Sequence, residues 1–270
     1  MEQHWIKFVH DSLLGFKYQD EDRTISFRAS ALPMCGRLLA FGTKVSQVKR
    51  TLDFTERYYI AIGDAIHALV QSTWSEQGLL WGDWRCQDCE FRQKGIRLSS
   101  GAKCVRCGSP MLYQDVSVED AESGFTGHCD AVVWSEDDRG YVAFELKTRN
   151  ENIITSRSLP FFSDFLQISA YATLLKRQYG LNIVGRVILW IGKPRPKPFR
   201  VWYYEGTGEE YFEEQKRKKL EADSLLASGQ PENIPGRCRM EADSVDCAFA
   251  NICFSKDRIA RTRTFFGISS

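Results

Sequence analysis

The chain has 270 residues, 43% hydrophobic and 26% charged, ordinary values for a globular fold that buries a sizeable core. A net charge of +1 excludes a globally basic coat for nucleic acid but not a local basic groove. No apolar run reaches the roughly 18 residues of a membrane span, and the opening MEQHWIKFVHDSLL lacks a signal-peptide core, so a cytoplasmic protein with no membrane partner is expected.

In a reducing compartment, nine cysteines point to metal ligation more than to disulfides. From Ser30, SALPMCGRLLAF predicts a short helix with Ser at the N-cap and Pro33 in its first turn. Cys35 lies in it, and taken alone it reads as a small buried hydrophobe. Residues 55–78 predict a longer helix with an apolar stripe of Ile62, Ile66, Leu69 and Val70. Gly63 and His67 share a neighbouring face; a lone helical His is more often a packed or solvent-facing residue than a ligand.

Residues 82–113 change character. Cys86-x2-Cys89, fourteen residues, then Cys104-x2-Cys107 is the spacing of a zinc ribbon with a closed four-thiolate Zn2+ site. A redox role for either CxxC is the alternative. Arg85, Arg92, Lys94, Arg97, Lys103 and Arg106 make the stretch basic, which suits either a nucleic-acid contact or a solvated surface.

Gly127 to Thr148 predicts a β-hairpin, with one strand from His128 to Trp134, the other from Tyr141 to Lys147, and a polar turn between them. Alternation puts Glu145 and Lys147 on one face, Phe144 and Leu146 on the other. Folding symmetrically about Asp137-Asp138 sets Asp130 opposite Glu145, with Cβ atoms about 5 Å apart. Opposed carboxylates repel unless a cation lies between them, so the pattern suits a Mg2+ or Mn2+ site. Cys129 points to the opposite face and is expected in the core.

A polar loop is expected from Arg149 to Pro160, then a helix from Phe161 to Tyr179 ended by Gly180, with Gln167 and Tyr171 one turn apart. A buried strand, Asn182 to Ile191, precedes a partner strand, Phe199 to Glu205. The basic loop between them carries Lys193, Arg195 and Lys197, suited to phosphates or to plain solvation. Residues 207–228 predict a charged helix whose EEQKRKKLEAD run reads as a solvated face. After a Pro/Gly linker over 229–237 come Cys238, Cys247 and Cys253, with eight and five residues between them. Cys35 is the available fourth thiolate, and four such ligands would hold an iron–sulfur cluster or zinc and tie the chain's last segment to its first helix.

Together, Gly63-x3-His67, Gly127-x2-Asp130, Glu145-x-Lys147 and Gln167-x3-Tyr171 resemble the RecB-like branch of the PD-(D/E)XK nucleases. A first cysteine before these motifs and three after them resembles its iron–sulfur subgroup, which includes CRISPR-associated RecB-like exonucleases, AddB-type nucleases and the nuclease domain of eukaryotic nuclease-helicases. The first gap among the last cysteines is longer than the family's usual two residues, and the ribbon is not part of the family core.

The resemblance implies an α/β fold: a restriction-endonuclease-like core with a mixed central sheet flanked by helices. One nuclease domain would span 1–270, with a ribbon inserted at 82–113 and an iron–sulfur segment at 229–256 paired with Cys35. It implies a metal-dependent exonuclease acting on single-stranded DNA ends, 5′ to 3′, in repair, recombination or phage DNA processing. His67, Asp130, Glu145 and the Leu146 carbonyl would bind Mg2+ or Mn2+, and Lys147, Gln167 and Tyr171 would complete the catalytic set. Cys35, Cys238, Cys247 and Cys253 would hold a [4Fe-4S] cluster, with zinc the alternative there. Trp202, Tyr203 and Phe161 are either stacking platforms for a single strand or strand-core packing. A CRISPR adaptation nuclease trimming spacer precursors is the same chemistry in another pathway. A non-catalytic nucleic-acid-binding zinc protein is the contrasting reading, and a helicase or recombination partner stays open.

Overall fold

In the computed structural model, residues 18–19, 35–37, 40, 51–193, 195, 198–236 and 250–268 are described. Two short strands, β1 (Tyr18–Gln19) and β2 (Thr51–Leu52), pair antiparallel just before helix α1 (Phe54–Glu76). A capping box starts α1: Asp53 accepts from the Glu56 N–H, and Glu56 reaches back to the Asp53 N–H. The expected apolar stripe is not a core face, however. Ile62, Ile66 and Val70 are half-buried and Leu69 is exposed, because α1 meets the sheet along one narrow line. Trp74 packs edge-on against Phe144 there, with ring centroids 4.8 Å apart. Gly63 faces Thr148, whose hydroxyl would lie 3.2 Å from any Cβ added there, so glycine gives the close approach its spacing suggests.

The central sheet is mixed. It contains β3 (Leu80–Cys86), β4 (Arg92–Arg97), β5 (Met111–Gln114), β8 (Ala131–Ser135), β9 (Gly140–Asn150), β10 (Ile183–Lys193) and β11 (Phe199–Glu205). Its order is β11-β10-β9-β8-β3-β4, with β5 also on β3. A separate pair, β6 (Val116–Asp120) and β7 (Phe125–Cys129), lies beside it. β9 and β10 run parallel, so the chain must cross over the sheet between them. Helix α2 (Glu151–Ser156) and helix α3 (Phe162–Tyr179) make that crossing.

The structure corrects the expected loop over 149–160. β9 continues to Asn150, whose side chain then caps α2 by accepting from the Asn152 N–H at 3.0 Å, and Ile154 is buried. α3 follows the predicted span and buries Leu166, Ala170, Leu174 and Leu175. Gly180 ends it in the left-handed region at φ 67°.

A second correction falls on α4 (Glu209–Ala227). Its charged run is solvated on one side only, where Glu214–Lys218 and Arg217–Glu221 pairs form. The other side buries Phe212, Lys216, Lys219 and Ala222. Lys216 survives burial because Asp120 and Glu122 accept from its ammonium at 3.0 and 2.6 Å.

A 3-10 turn (Pro231–Asn233) and helices α5 (Ala250–Cys253) and α6 (Arg258–Phe266) complete the described chain. Ala40, Ala222, Ile234 and Phe266 form a small apolar cluster, and Cys253 packs against it. Arg37 donates to the Ile234 carbonyl at 2.7 Å. Of the helix expected from Ser30, Gly36, Arg37 and Ala40 are helical; Ser30 and Pro33 lie outside the described residues, as do Lys197, Cys238 and Cys247. Among the described residues no helix is long and apolar enough to cross a membrane.

Candidate active site

The predicted hairpin is present, but its first strand is broken. β8 pairs with β9 in the register Ala131↔Phe144, the register that sets Asp130 against Glu145. At Asp130 the chain bends and leaves the sheet, and β7 pairs with β6 instead. Tyr171 packs directly on the departing strand, since a Cβ on Gly127 would lie 2.5 Å from its ring. The split leaves the Leu146 N–H of β9 without a strand partner, and Asp130 Oδ2 accepts from it at 2.7 Å.

Glu145 and Lys147 share a face, as alternation requires, and their carboxylate and ammonium are in direct contact. Glu145 is 1% exposed, and its second oxygen, Oε2, has no hydrogen-bond partner. That is a rare state for a buried carboxylate oxygen. Cys129 is buried, and its Sγ meets the Ala131 and Phe144 carbonyls.

Two helices flank these strands. α1 brings His67 Nδ1 to 3.9 Å from Asp130 Oδ1, too long for a hydrogen bond. α3 lies over the Glu145–Lys147 face, where Gln167 donates to the Tyr171 hydroxyl at 2.9 Å. The structure thus gathers His67, Asp130, Glu145, Lys147, Gln167 and Tyr171 around the middle of β9.

Burial dominates the electrostatics. It pushes Asp130 up to about 7, against the pull of the Leu146 N–H and of Lys147. It lifts Glu145 well above the carboxylate range, and the neighbouring Asp130 charge adds to this. His67 is lowered by burial and then by Lys147, which keeps it neutral and able to donate a lone pair. Burial works against the Lys147 ammonium too, but the Glu145 charge and hydrogen bond outweigh it and raise its pKa.

Several residues of the site carried no sequence signal of their own. Gln71, one turn beyond His67, donates through Nε2 to the Asp130 carbonyl at 2.6 Å and to Asp115 Oδ1 at 2.7 Å. Arg149, on the Glu145 face, donates to both oxygens of Asp164, and the Trp190 indole donates to the same carboxylate at 2.9 Å. Those three meet only through the crossover. Of the suggested stacking residues, Trp202 packs on Trp190, Phe161 lies under Arg149 and Arg157, and Tyr203 is exposed on β11.

The four cysteines of the CxxC pairs form a second centre. Their sulfurs lie within 4.8 Å of one another, with Cys86···Cys107 at 3.4 Å and Cys89···Cys104 at 3.6 Å. Asp88, Cys89 and Arg106 aim backbone N–H groups at Cys86 or Cys104 sulfur, the arrangement that stabilises thiolates. Among the described residues this is the one group of three or more His, Cys, Asp or Glu ligand atoms drawn so tightly together. His67, Asp130 and Glu145 are more widely spread, with Lys147 supplying the positive charge on Glu145. β3 ties the cysteine centre to the sheet: Leu80 and Trp81 pair with β8, and Asp83 to Cys86 pair with β5.

No family model matches the chain, and no curated protein matches it in sequence. Among solved structures the fold is similar to that of an alkaline exonuclease (LHK-Exo) from Laribacter hongkongensis. The TM-score is 0.39 at 10% identity, over 76% of this chain and 94% of that one.

Proposed function

We propose that the chain is a divalent-metal-dependent deoxyribonuclease of the RecB-like PD-(D/E)XK kind, hydrolysing phosphodiester bonds at single-stranded DNA ends in the 5′ to 3′ direction. The observation that carries this reading is Glu145 Oε2, a buried carboxylate oxygen without a donor, on the face that also holds Lys147 and across the register from Asp130. Most buried structural carboxylates have both oxygens satisfied. An unpartnered one beside a second carboxylate and a neutral imidazole is a donor set that suits Mg2+ or Mn2+.

His67, Asp130, Glu145 and the Leu146 carbonyl would hold the ion. When bound it supplies Lewis acidity, polarising the scissile phosphate and lowering the pKa of water. Lys147, held protonated by Glu145, stabilises the negative charge that grows on the phosphate oxygens. Tyr171 is 3% exposed, so its role is positioning: its ring against Gly127 fixes the path of the segment that ends at Asp130. Gln167 holds the Tyr171 hydroxyl. Water attacks phosphorus and gives up a proton to solvent, the bond to the leaving oxygen breaks, and that oxygen takes up a proton from solvent in turn.

Zn2+ at Cys86, Cys89, Cys104 and Cys107 is supported by the convergence of their sulfurs. A [4Fe-4S] cluster on Cys35, Cys238, Cys247 and Cys253 is supported by the apolar cluster that brings the Arg37–Ala40 segment together with Cys253. The test is degradation of end-labelled single-stranded DNA with Mn2+ or Mg2+. The parent should release nucleotides, and Asp130→Ala should bind the strand without degrading it. No degradation by the parent with any divalent metal overturns the reading.

A further inference from the structure

We infer that the four-cysteine module is the arm that holds the substrate strand away from the scissile bond, along a groove shared by β4 and the candidate active site. This rests on the nucleolytic reading for its ligand, single-stranded DNA, but on separate residues for its location. A groove of about 490 Å³ lies between α1, β4 and β5. Gln71 and Asp115 line it on the α1 side, and Gln71 is the residue that holds the Asp130 carbonyl. Arg92 and Lys94 line it on the β4 side, with Gln93 and Gln114 between. The groove therefore runs from Gln71, which touches the Asp130 backbone, to the β4 strand of the cysteine module.

Its charges are arranged for an anion at the far side. Arg85 and Arg97 of the module are taken up by Glu90 and Glu136. Arg92 and Lys94 are exposed and form no ion pair among the described residues. Both line the groove, two residues apart on β4 and so roughly 7 Å apart along the strand, the scale of one nucleotide step in an extended strand. Asp83, the acid nearest them in the groove, already accepts the Gly95 N–H at 3.1 Å. Glutamines between the two sides offer donors and acceptors to phosphates or base edges without choosing a sequence. The groove is half-open and mostly polar, which fits a polynucleotide better than an enclosed small molecule.

The experiment is fluorescence anisotropy of labelled oligothymidylate in EDTA, over a range of salt, with Arg92→Gln/Lys94→Gln against the parent. Removing two phosphate contacts should weaken binding about tenfold and flatten the logarithmic salt slope by roughly 1.4. Arg217→Gln/Lys218→Gln on α4, which removes the same charge elsewhere, should bind as the parent does. Equal loss in both double variants, or none in the first, overturns the groove, as does a parent that does not bind the oligonucleotide. A parent that binds through Arg92 and Lys94 yet releases no nucleotide with Mn2+ supports the groove and sinks only the hydrolytic reading.

Discussion

Asp130 and Glu145 are carboxylates that folding forces partly out of water, and their cost has a sign that pH can read. Burial raises Asp130 to about 7 and Glu145 above its ordinary range. Between the ordinary aspartate pKa of 3.8 and about 7, the folded protein therefore holds protons that the unfolded chain has released, so these two groups make stability fall as pH rises. His67, pushed below 6.5, opposes them with one proton. Asp130→Asn keeps an acceptor for the Leu146 N–H but cannot ionise. In EDTA, thermal unfolding across this window should show the parent losing Tm with pH more steeply than Asp130→Asn. Parallel curves contradict the assignment. The same variant should lose hydrolysis by at least about a hundredfold while staying folded. At this scale the sequence was most readable: strand alternation alone placed Glu145 with Lys147, and turn symmetry alone set Asp130 against Glu145. Gln71, Asp115, Arg149 and Asp164 were not readable, because each finds its partner through the fold and not through its neighbours in the chain.

Among the elements, the split between β7 and β8 shapes the site. A straight hairpin strand would keep residue 130 in the ladder, and the bend is what frees its carboxylate to reach the Leu146 N–H. Gly127 permits the bend by admitting the Tyr171 ring. Gly127→Ala should therefore displace Tyr171, break its bond with Gln167, cost about 1–3 kcal/mol by overpacking, and lower activity with it. Urea unfolding and the DNA assay measure both; a cost near zero with full activity contradicts the positioning role. The sequence showed the two strands but not the bend, since the pattern around Asp130 stays β-like on both sides. Its other failures have local causes. α2 is short and polar, so Asn150 as its cap was lost in a loop-like composition. The run in α4 reads as solvated until Asp120 and Glu122 arrive from a distant strand to neutralise Lys216.

At the scale of the whole molecule, one four-cysteine group is drawn together on the sheet, a second cysteine centre is proposed, and the candidate site surrounds the middle of β9. CxxC spacing was a strong enough signal to place one of them, and β3 fastens it to the sheet through a single strand. The proposed one would draw its ligands from opposite ends of the chain, and the packing of Ile234, Phe266 and Cys253 with Ala40 is the part the structure supplies. Purified protein should be brown, with absorbance near roughly 400 nm, and should also contain zinc. Cys253→Ser should bleach the colour and leave the zinc, and Cys86→Ser should do the reverse. A colourless protein holding zinc at both centres contradicts the iron–sulfur assignment.

On the proposed reading, Glu145 and Asp130 face each other because a divalent cation belongs between them. Titration of Mn2+ into the protein, with free Mn2+ followed by electron paramagnetic resonance, tests it most directly. The parent should show saturable uptake that Asp130→Asn and Glu145→Gln each abolish, with both variants folded. Equal uptake by the parent and both variants, or none by the parent, would contradict it.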